Sequence, residues 1–289
     1  MKKILILSGK GGTGKTTLSS ALIRLLDAKA YADCDVDAPN LHLVMEEENE
    51  PLKSDFLGLP AAYIDPAKCI SCDLCRQNCR FDAITNINGY IVNDHACEGC
   101  KVCTLVCPSD AIEMVPRVIG HLSLYKNGHV FSTAELKMGS GNSGLLVTEV
   151  KKHLYVNSKN ADIAIIDGSP GIGCPVIASI SGVDLVILVS EPTISGFSDM
   201  ERIIKTSEGF WAKVAVCVNK FDLHLENTEK IISYCSENGI PFVGTIPFDK
   251  DASSLINQGK TLADKDGPAR DSIIKIMERS MKILNEGDN

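Results

Sequence analysis

Eight cysteines between residues 69 and 107 repeat one spacing twice along the chain. Both copies read C-x2-C-x2-C-x3-C, and the second copy begins 28 residues after the first (97 − 69). The copies consist of Cys69, Cys72, Cys75 and Cys79, followed by Cys97, Cys100, Cys103 and Cys107. Thiolates are ligands for soft metals, so the density and regularity of these runs predict a metal-binding segment and not a set of disulfide bonds.

The spacing within each run is typical of cysteines that bind [4Fe–4S] clusters, because three thiolates close together on one loop can ligate three irons of a single cube. Zinc is the alternative ligand, but zinc sites usually pair C-x2-C units at long separation. The repeat therefore predicts two [4Fe–4S] clusters. Of the 12 cysteines in the chain, the four outside the repeat are Cys34, Cys174, Cys217 and Cys235.

A second chemical motif lies at residues 9–16, which read G-K-G-G-T-G-K-T and match the pattern G-x4-G-K-[ST]. A predicted strand precedes it and a predicted helix follows, which is the setting in which a glycine-rich backbone binds phosphates at a helix N-terminus. We expect Lys15 to reach the β- and γ-phosphates, Thr16 to coordinate Mg²⁺ and Thr17 to bond the α-phosphate. The predicted nucleotide-binding residues of this loop are Gly11, Gly12, Thr13, Gly14, Lys15, Thr16 and Thr17.

The composition is ordinary for a soluble globular protein, with 289 residues of which 44% are apolar and 23% charged. A net charge of −8 argues against general binding to nucleic acid or anionic membranes. The longest strictly apolar runs have five residues, whereas a membrane span needs about 20. These observations predict a cytoplasmic protein with neither nucleic-acid nor membrane partners.

The elements that position these motifs alternate between strand and helix, which predicts an α/β fold with a doubly wound, mostly parallel sheet that binds ligands at the carboxyl ends of its strands. Strands are predicted at 3–8, 29–33, 163–167, 185–190, 214–219 and 242–246, and helices at 15–26, 144–156, 196–209, 225–238 and 268–284. The cysteine segment interrupts this alternation, so we place an inserted small α+β domain at 61–115, within a larger domain at 1–60 and 116–289. Residues 117–142 carry no clear pattern, and the glycine-rich stretch 139–144 is interpreted as a flexible linker.

Residues 10–17, K-G-G-T-G-K-T-T, resemble the deviant Walker A loop of the MinD/ParA/Mrp superfamily of P-loop ATPases, to which the nitrogenase iron protein is related. The resemblance implies that Lys10 reaches across a dimer and neutralises charge that develops at the partner's nucleotide, as an arginine finger does elsewhere. It therefore implies a homodimer, or a heterodimer with a related chain, when ATP is bound. Lys10 and Lys15 are then catalytic residues.

Two aspartate-rich stretches resemble the switch segments of the same superfamily. Residues 33–40, D-C-D-V-D-A-P-N, resemble switch I, which implies that Asp33 lies near Mg²⁺ and that Asp35 orients the attacking water as the third catalytic residue. Asp37 is an additional carboxylate without an assigned role. Residues 167–171, D-G-S-P-G, resemble switch II, which implies that Asp167 holds Mg²⁺ through water.

Base recognition is implied by two further stretches. Residues 219–222 read N-K-F-D, and in this superfamily the asparagine, here Asn219, usually contacts adenine. Residues 246–249 read I-P-F-D and match the loop whose proline, here Pro247, packs against adenine. The resemblance therefore favours ATP over GTP.

The cysteine segment resembles the bacterial two-cluster ferredoxins, in which the last cysteine of each run ligates the other cluster. The resemblance implies that one cluster is held by Cys69, Cys72, Cys75 and Cys107, and the other by Cys97, Cys100, Cys103 and Cys79. One departure is Arg80, which follows Cys79 where the pattern has proline. Cys174 follows switch II, at a place similar to that of a bridging-cluster cysteine in the nitrogenase iron protein, and a small buried residue at a helix start is the alternative interpretation.

Three functions fit these motifs. The first is an ATPase whose nucleotide state gates electron transfer through two [4Fe–4S] clusters to a partner metalloprotein or cofactor-assembly factor. The second is an iron–sulfur cluster assembly or carrier ATPase that uses a labile cluster at Cys174. The third is a MinD-like spatial-positioning ATPase, which would need an amphipathic membrane helix; residues 268–284 interleave acidic and basic side chains and do not resemble one.

Overall fold

The computed structural model of the chain describes residues 1–45 and 49–286. Its strands are β1 (Lys2–Ser8), β2 (Ala30–Asp33), β3 (Leu52–Leu57), β4 (Ala61–Ile64), β5 (Ile84–Asn86), β6 (Tyr90–Val92), β7 (Ile112–Val115), β8 (Val118–Lys126), β9 (Val130–Leu136), β10 (Ile163–Asp167), β11 (Leu185–Ser190), β12 (Lys213–Asn219) and β13 (Phe242–Ile246). Its α-helices are α1 (Lys15–Leu25), α2 (Leu74–Gln77), α3 (Val102–Val106), α4 (Ser143–Asn157), α5 (Cys174–Ile180), α6 (Ile194–Ser207), α7 (Leu225–Glu237), α8 (Ala252–Ile256) and α9 (Pro268–Asn285).

The main sheet has nine strands in the order β13-β12-β11-β1-β10-β2-β9-β8-β3. The strands from β13 to β9 are all parallel, and the edge pairs β9–β8 and β8–β3 are antiparallel. Strands β10 and β11 are apolar nearly throughout, as parallel strands covered on both faces must be. The predicted mostly parallel α/β sheet is therefore confirmed.

Helices cover both faces of this sheet, and the period-two alternation of each strand divides its side chains between two apolar cores. In β1, Leu5 and Leu7 join the core that includes α4, α5, α6 and α7, whereas Ile4 and Ile6 join the core on the opposite face, which includes α1 and α9. No helix in the described parts of the chain is long and apolar enough to cross a membrane.

Three strands of the main sheet, β3, β8 and β9, were not predicted. β8 and β9 form a hairpin around residues 127–129, and β9 extends the parallel part of the sheet beside β2. β3 is the edge strand and is exposed at most positions, so its polar sequence gives no strong apolar signal. The predicted linker at 139–144 is also shorter than expected, because α4 already begins at Ser143.

Residues 61–115 leave the main sheet at the end of β3 and return at the start of β8. These two strand ends are neighbours, since Leu57 pairs with Val118, so the segment needs little chain to connect it. Within it, β4 pairs with β7 and β5 pairs with β6, and the described part has an apolar cluster of its own around Ile64, Ile84 and Ile112. This arrangement is consistent with the small inserted domain that we placed at 61–115.

The cysteine repeat is also a repeat of the backbone. Helices α2 and α3 follow corresponding cysteines, and residues separated by 28 positions share an unusual left-handed conformation. The pairs with positive φ are Ser71 and Gly99 (57° and 65°), Asp73 and Lys101 (66° and 65°), and Asp82 and Asp110 (49° and 49°). Five of these six residues carry a side chain, for which the conformation is unfavourable. Both loops are therefore folded into one specific shape at some energetic cost.

Candidate functional site

The carboxyl ends of the parallel strands bring the predicted nucleotide-binding residues to one edge of the sheet. β1 ends at Ser8 and leads through residues 9–14 into α1. Gly12 and Gly14 have φ values of 78° and 95°, and a Cβ atom at Gly14 would lie 2.2 Å from Nδ2 of Asn219. Only glycine fits there, so the loop is held in the curled conformation that phosphate binding requires.

The ammonium group of Lys15 is buried among carboxylates at this edge. Its side chain is 6% exposed, and its Nζ atom lies 3.0 Å from Oδ1 of Asp167 and 3.9 Å from Oδ2 of Asp35. Burial alone would lower the pKa of Lys15, but attraction to Asp167, Asp33 and Asp35 outweighs burial and raises that pKa. The lysine is therefore fully charged and ready to bind phosphate oxygens.

The Asp167 carboxylate accepts hydrogen bonds from two hydroxyl groups in addition to the one from Lys15. The Thr16 hydroxyl donates to Oδ2 of Asp167 at 2.6 Å, and the Ser19 hydroxyl donates to Oδ1 at 2.8 Å. The same hydroxyl oxygen also lies 3.0 Å from Oδ1 of Asn40, the more distant of two acceptors for its one proton. Hard oxygen donors of this kind are the ligands that Mg²⁺ prefers. The residues predicted for Mg²⁺ thus fit that ion chemically.

Asp33 stands beside Asp167 on the neighbouring strand, since the two are paired in the sheet. Its carboxylate accepts hydrogen bonds from the backbone N–H groups of Asp35 (3.0 Å), Asn40 (2.9 Å) and Leu41 (2.9 Å). Burial and the nearby Asp167 carboxylate raise the pKa of Asp33 to about 7, and burial raises the pKa of Asp35 to about 6. This crowding of negative charge favours binding of a cation.

Lys10 lies on the outer side of the phosphate loop and contacts residues after β11. Its Nζ atom donates to the Ser195 hydroxyl at 3.2 Å and lies 3.7 Å from Oε2 of Glu191. The other carboxylate oxygen of Glu191 accepts from Lys220 at 2.5 Å, and Lys220 also donates to the Gly12 carbonyl at 3.0 Å. In this single chain, Lys10 is therefore held by its own subunit.

Asn219 and Pro247 follow β12 and β13 at the same edge of the sheet. The Asn219 side-chain amide donates to the Thr13 carbonyl at 2.8 Å, and this hydrogen bond fixes the phosphate loop relative to the end of β12. Asp222 accepts from the backbone N–H of Phe248 at 2.7 Å and fixes the position of the loop that carries Pro247. The adenine contacts implied for Asn219 and Pro247 remain predictions.

Two cavities in the inserted segment are each lined by four of the repeated cysteines. The first-repeat cavity is lined by Cys69, Cys72, Cys75 and Cys107. The second-repeat cavity is lined by Cys79, Cys97, Cys100 and Cys103. Each cavity therefore gathers three cysteines from one repeat and the last cysteine of the other, which is the grouping implied by the ferredoxin resemblance.

Backbone N–H groups point at corresponding cysteine sulfurs in both cavities. Ala83 donates to Sγ of Cys79 at 3.4 Å, and Ala111 donates to Sγ of Cys107 at 3.3 Å. Burial opposes ionisation of Cys107, but hydrogen bonds from Ala111 and Ser109 outweigh burial and lower the pKa of its thiol. Hydrogen bonds to thiolate sulfur are among the means by which proteins tune iron–sulfur clusters.

Among residues 1–45 and 49–286, no three His, Cys, Asp or Glu side chains are gathered as they would be around a single metal ion. A [4Fe–4S] cube needs its four thiolates at separate positions around it, because each thiolate binds its own iron at a different corner. Four cysteines that surround a cavity, without converging on one point, fit a cube better than a mononuclear zinc site.

The cysteines outside the repeat have different surroundings. Cys34, Cys217 and Cys235 are buried, and burial raises the pKa values of their thiols to about 12, about 12 and about 11. Cys174 is exposed at the start of α5, so the alternative of a small buried residue there is wrong. Asp37, within the stretch that resembles switch I, is exposed.

Some site residues were not predicted from the sequence. Ser19 lies one turn after Lys15 and bonds Asp167, and Asn40 bonds Thr16. Glu191 immediately follows β11, and its position at the carboxyl end of a central strand was a usable signal. Lys220 lies within the predicted base-recognition stretch, but its contact with the phosphate loop depends on tertiary structure.

Comparison with known proteins agrees with the fold and the phosphate loop. Residues 4–262 match the CbiA family, the CobQ/CobB/MinD/ParA nucleotide binding domain. The uncharacterized protein MJ0578 of Methanocaldococcus jannaschii is 34% identical over 285 residues, which cover 98% of this chain and 97% of that protein. The chain therefore belongs to the CbiA family of nucleotide-binding domains, within the MinD/ParA superfamily of P-loop ATPases.

Two more distant similarities are informative. An iron-sulfur cluster carrier protein of Pyrococcus abyssi is 22% identical over 313 residues, which cover 98% of this chain and 87% of that protein. The septum site-determining protein MinD of Pyrococcus horikoshii, solved with Mg-ADP, has a TM-score of 0.56 at 18% identity and covers 99% of this chain and 98% of its own. At that identity the structural likeness concerns the fold alone.

Proposed function

We propose that this chain is an ATP-hydrolysing iron–sulfur protein in which the nucleotide state of the P-loop site gates electron transfer through two [4Fe–4S] clusters. The electron acceptor or donor is a partner metalloprotein or a cofactor-assembly factor. The observation that carries the proposal is that one chain combines a complete phosphate loop with two cavities, each lined by four cysteines drawn from both repeats.

At the nucleotide site, each side chain has a task that its surroundings suit. Lys15 binds the β- and γ-phosphates, and Thr16 with Asp167 binds Mg²⁺. Asp35 orients the attacking water, and its carboxylate lies within 3.9 Å of Lys15. Lys10 is released from Glu191 and Ser195 so that it reaches the nucleotide of a second subunit.

In the inserted domain, at 61–115, the cysteines would hold one cluster in each cavity. Bound clusters would supply one-electron transfer. Cys69, Cys72, Cys75 and Cys107 form one ligand set and Cys97, Cys100, Cys103 and Cys79 the other. The left-handed residues at corresponding positions give both loops the same backbone conformation, which the surrounding structure must stabilise.

The test begins with anaerobic reconstitution of the full chain, followed by iron and sulfide analysis. We expect about eight irons and eight sulfides per chain for two cubes. Replacing Cys107→Ala should remove the cluster of the first-repeat cavity, and Cys79→Ala that of the second-repeat cavity. Bound zinc, or loss of both clusters to the same extent in either variant, would contradict the ligand assignment.

The gating part of the proposal is tested by reduction potentials. EPR-monitored redox titrations with Mg-ATP, Mg-ADP and no nucleotide should give different midpoint potentials, because γ-phosphate contacts order the switch segments differently in each state. Equal potentials in all three conditions, in protein that binds nucleotide and carries both clusters, would refute gating.

Cluster delivery is a second candidate, and the exposed thiol of Cys174 favours it. The relative named an iron-sulfur cluster carrier protein also supports this candidate, although it is only 22% identical. A cluster-transfer assay to an apo-protein separates the two functions, since Cys174→Ala should abolish transfer by a carrier and leave gated electron transfer intact. Relatives named putative septum site-determining protein MinD, at 22 to 24% identity, point equally to the positioning function. That function needs an amphipathic membrane helix, and α9 instead packs Ile273, Ile276 and Leu284 into the core.

A further inference from the structure

The two cysteine cavities lie at different distances from the ATPase part of the chain. In the β4–β7 pair, Ala61 opposes Val115 at the end that joins the main sheet, and Ile64 opposes Ile112 at the far end. The second-repeat cavity is lined by Ala62 and Met114, near the joining end, whereas the first-repeat cavity is lined by Ile64 and Ile112. The second-repeat cavity is therefore the inner one.

The loop that opens the second-repeat cavity is tied to the chain segments where the insertion begins and ends. Arg117, which directly precedes β8, donates from its guanidinium to the carbonyls of Asp94 and Cys97. On the other side, a Cβ atom at Gly99 would lie 2.6 Å from the Pro60 carbonyl, so the backbone of this loop packs directly against the incoming chain.

The same loop also touches the segment that leads into α4. A Cβ atom at Gly139 would lie 3.4 Å from Nδ1 of His95, and one at Gly141 would lie 3.6 Å from Oε1 of Glu98. His95 and Glu98 flank Cys97 in sequence. The segment before α4 is thus in contact with a ligand-bearing loop of the second-repeat cavity.

The start of α4 in turn packs against the start of α5. A Cβ atom at Gly144 would lie 3.2 Å from the carbonyl oxygen of Cys174 and 3.3 Å from its Cβ. Cys174 begins α5 three residues after Gly171, the last residue of the switch II stretch that starts at Asp167. The start of α5, close to the end of the switch II stretch, is therefore in tight contact with the start of α4, and a side chain at Gly144 would push the two helices apart by a few tenths of an ångström.

A buried lysine in the middle of α4 locks this helix to the end of α5. Lys151 of α4 donates to the carbonyls of Ala178, Ser179 and Ser181 at the end of α5, at 2.8, 2.7 and 2.5 Å. With this lock at one end and the Gly144–Cys174 contact at the other, α4 and α5 are expected to move as one body.

We infer that the α4–α5 pair transmits the state of switch II to the loop 93–100, so that the second-repeat cavity responds to nucleotide and the first-repeat cavity does not. This inference rests on the proposed function, since it concerns how nucleotide governs the cysteine sites. It assigns the two cavities unequal roles: the inner one senses the ATPase site, and the outer one has no contact route to it among those traced above.

Hydrogen–deuterium exchange on the reconstituted, anaerobic full chain tests this directly. Exchange is compared between Mg²⁺ with a non-hydrolysable ATP analogue and Mg-ADP. We expect amide exchange at 93–100 and 137–146 to differ between the two states by about fivefold or more, with no difference at 66–78. Equal exchange at 93–100 in both states, or an equal response of both cysteine loops, would overturn the inference without any variant.

A variant pair isolates the Gly144–Cys174 contact. Gly144→Ala inserts a methyl group at 3.2 to 3.3 Å from Cys174, whereas Gly209→Ala adds the same group where nothing lies within 4 Å. Both variants should keep nucleotide affinity and iron content. We expect only Gly144→Ala to lose the nucleotide-dependent difference at 93–100, and a Gly144→Ala protein that keeps the full difference would rule out this contact as the route.

These readouts separate the inference from the proposed function. Midpoint potentials that shift with nucleotide while exchange at 93–100 stays constant would preserve redox gating and reject the route through α4 and α5. Exchange that responds at 93–100 while both potentials stay constant would preserve the route and reject redox gating.

Discussion

Glu191 is predicted to restrain Lys10 until a second subunit arrives. Its carboxylate lies between two ammonium groups, 3.7 Å from that of Lys10 and 2.5 Å from that of Lys220. Lys10 must leave this contact to reach the partner's nucleotide. The substitution Glu191→Gln removes the negative charge but keeps an amide oxygen that accepts from Lys220, so the phosphate loop stays braced through Gly12.

The size of the effect follows from the exposure of the pair. The Lys10 side chain is 41% exposed and that of Glu191 15% exposed, so solvent screens much of their attraction. Partly exposed pairs of this kind contribute about 0.5 to 1 kcal/mol. A symmetric dimer breaks two such contacts, which amounts to about 1 to 2 kcal/mol, or roughly 5- to 30-fold in the dissociation constant.

Sedimentation equilibrium with Mg²⁺ and a non-hydrolysable ATP analogue measures that constant. We expect Glu191→Gln to dimerise about 5- to 30-fold more tightly than the natural chain. Glu229→Gln removes the same charge from the exposed face of α7 and should leave dimerisation unchanged. Lys10→Ala should weaken the dimer, because the bridging group itself is missing.

An unchanged or weaker dimer for Glu191→Gln would refute this reasoning, since it would mean that Glu191 supports the association that it is predicted to oppose. Ser195→Ala provides a further check. It removes only the neutral hydrogen bond to Lys10 and should tighten the dimer less than the charge change does.

Three other predictions concern stability and binding. Without nucleotide, the free energy of unfolding should fall as pH rises from about 4 to about 6, because the raised pKa of Asp35 lets the folded state keep a proton that the unfolded state releases. In urea titrations over this pH range, Asp35→Asn should reduce the fall by about 2 kcal/mol. The same fall in the variant and in the natural chain would contradict this expectation. Lys151→Met leaves three carbonyls at the end of α5 without a donor and should lower the free energy of unfolding by about 2 to 4 kcal/mol. The control Lys152→Met, on the exposed side of α4, should change it by less than about 0.5 kcal/mol. Equal effects of the two substitutions would show that the Lys151 hydrogen bonds do not stabilise the fold. Gly14→Ala places a methyl group 2.2 Å from the amide nitrogen of Asn219 at a φ of 95°, so calorimetry should show nucleotide affinity reduced by about 100-fold or more, and near-normal affinity would disprove the need for glycine there.

The sequence was sufficient where the chemistry lies in consecutive residues. The phosphate loop and the two cysteine runs are local patterns, because the residues of each lie within about a dozen consecutive positions. The central strands were equally clear, since burial on both faces demands a continuous apolar run such as β11. The edge strand β3 and its neighbour β8 face solvent in part, and their mixed sequences could not be distinguished from loops.

Other features depend on which distant segments meet, and a single sequence carries no record of that. The lock between Lys151 and the end of α5 joins residues 27 to 30 positions apart, and the contact of Glu191 with the phosphate loop joins two strand ends through the order of the sheet. Asn219 was predicted to contact a base, and only the folded chain shows that its amide braces the Thr13 carbonyl.

The sequence by itself determined that this protein has a P-loop ATPase site and two cysteine runs of identical spacing, because residue type and local spacing fix those patterns. Tertiary structure decided where the two runs lie. The insertion leaves and re-enters the main sheet between paired strands, and this places the second-repeat cavity near the joining end, in contact with the segment before α4, and the first-repeat cavity at the far end. Distance from the nucleotide site is a property of the folded chain, and no spacing along the sequence contains it.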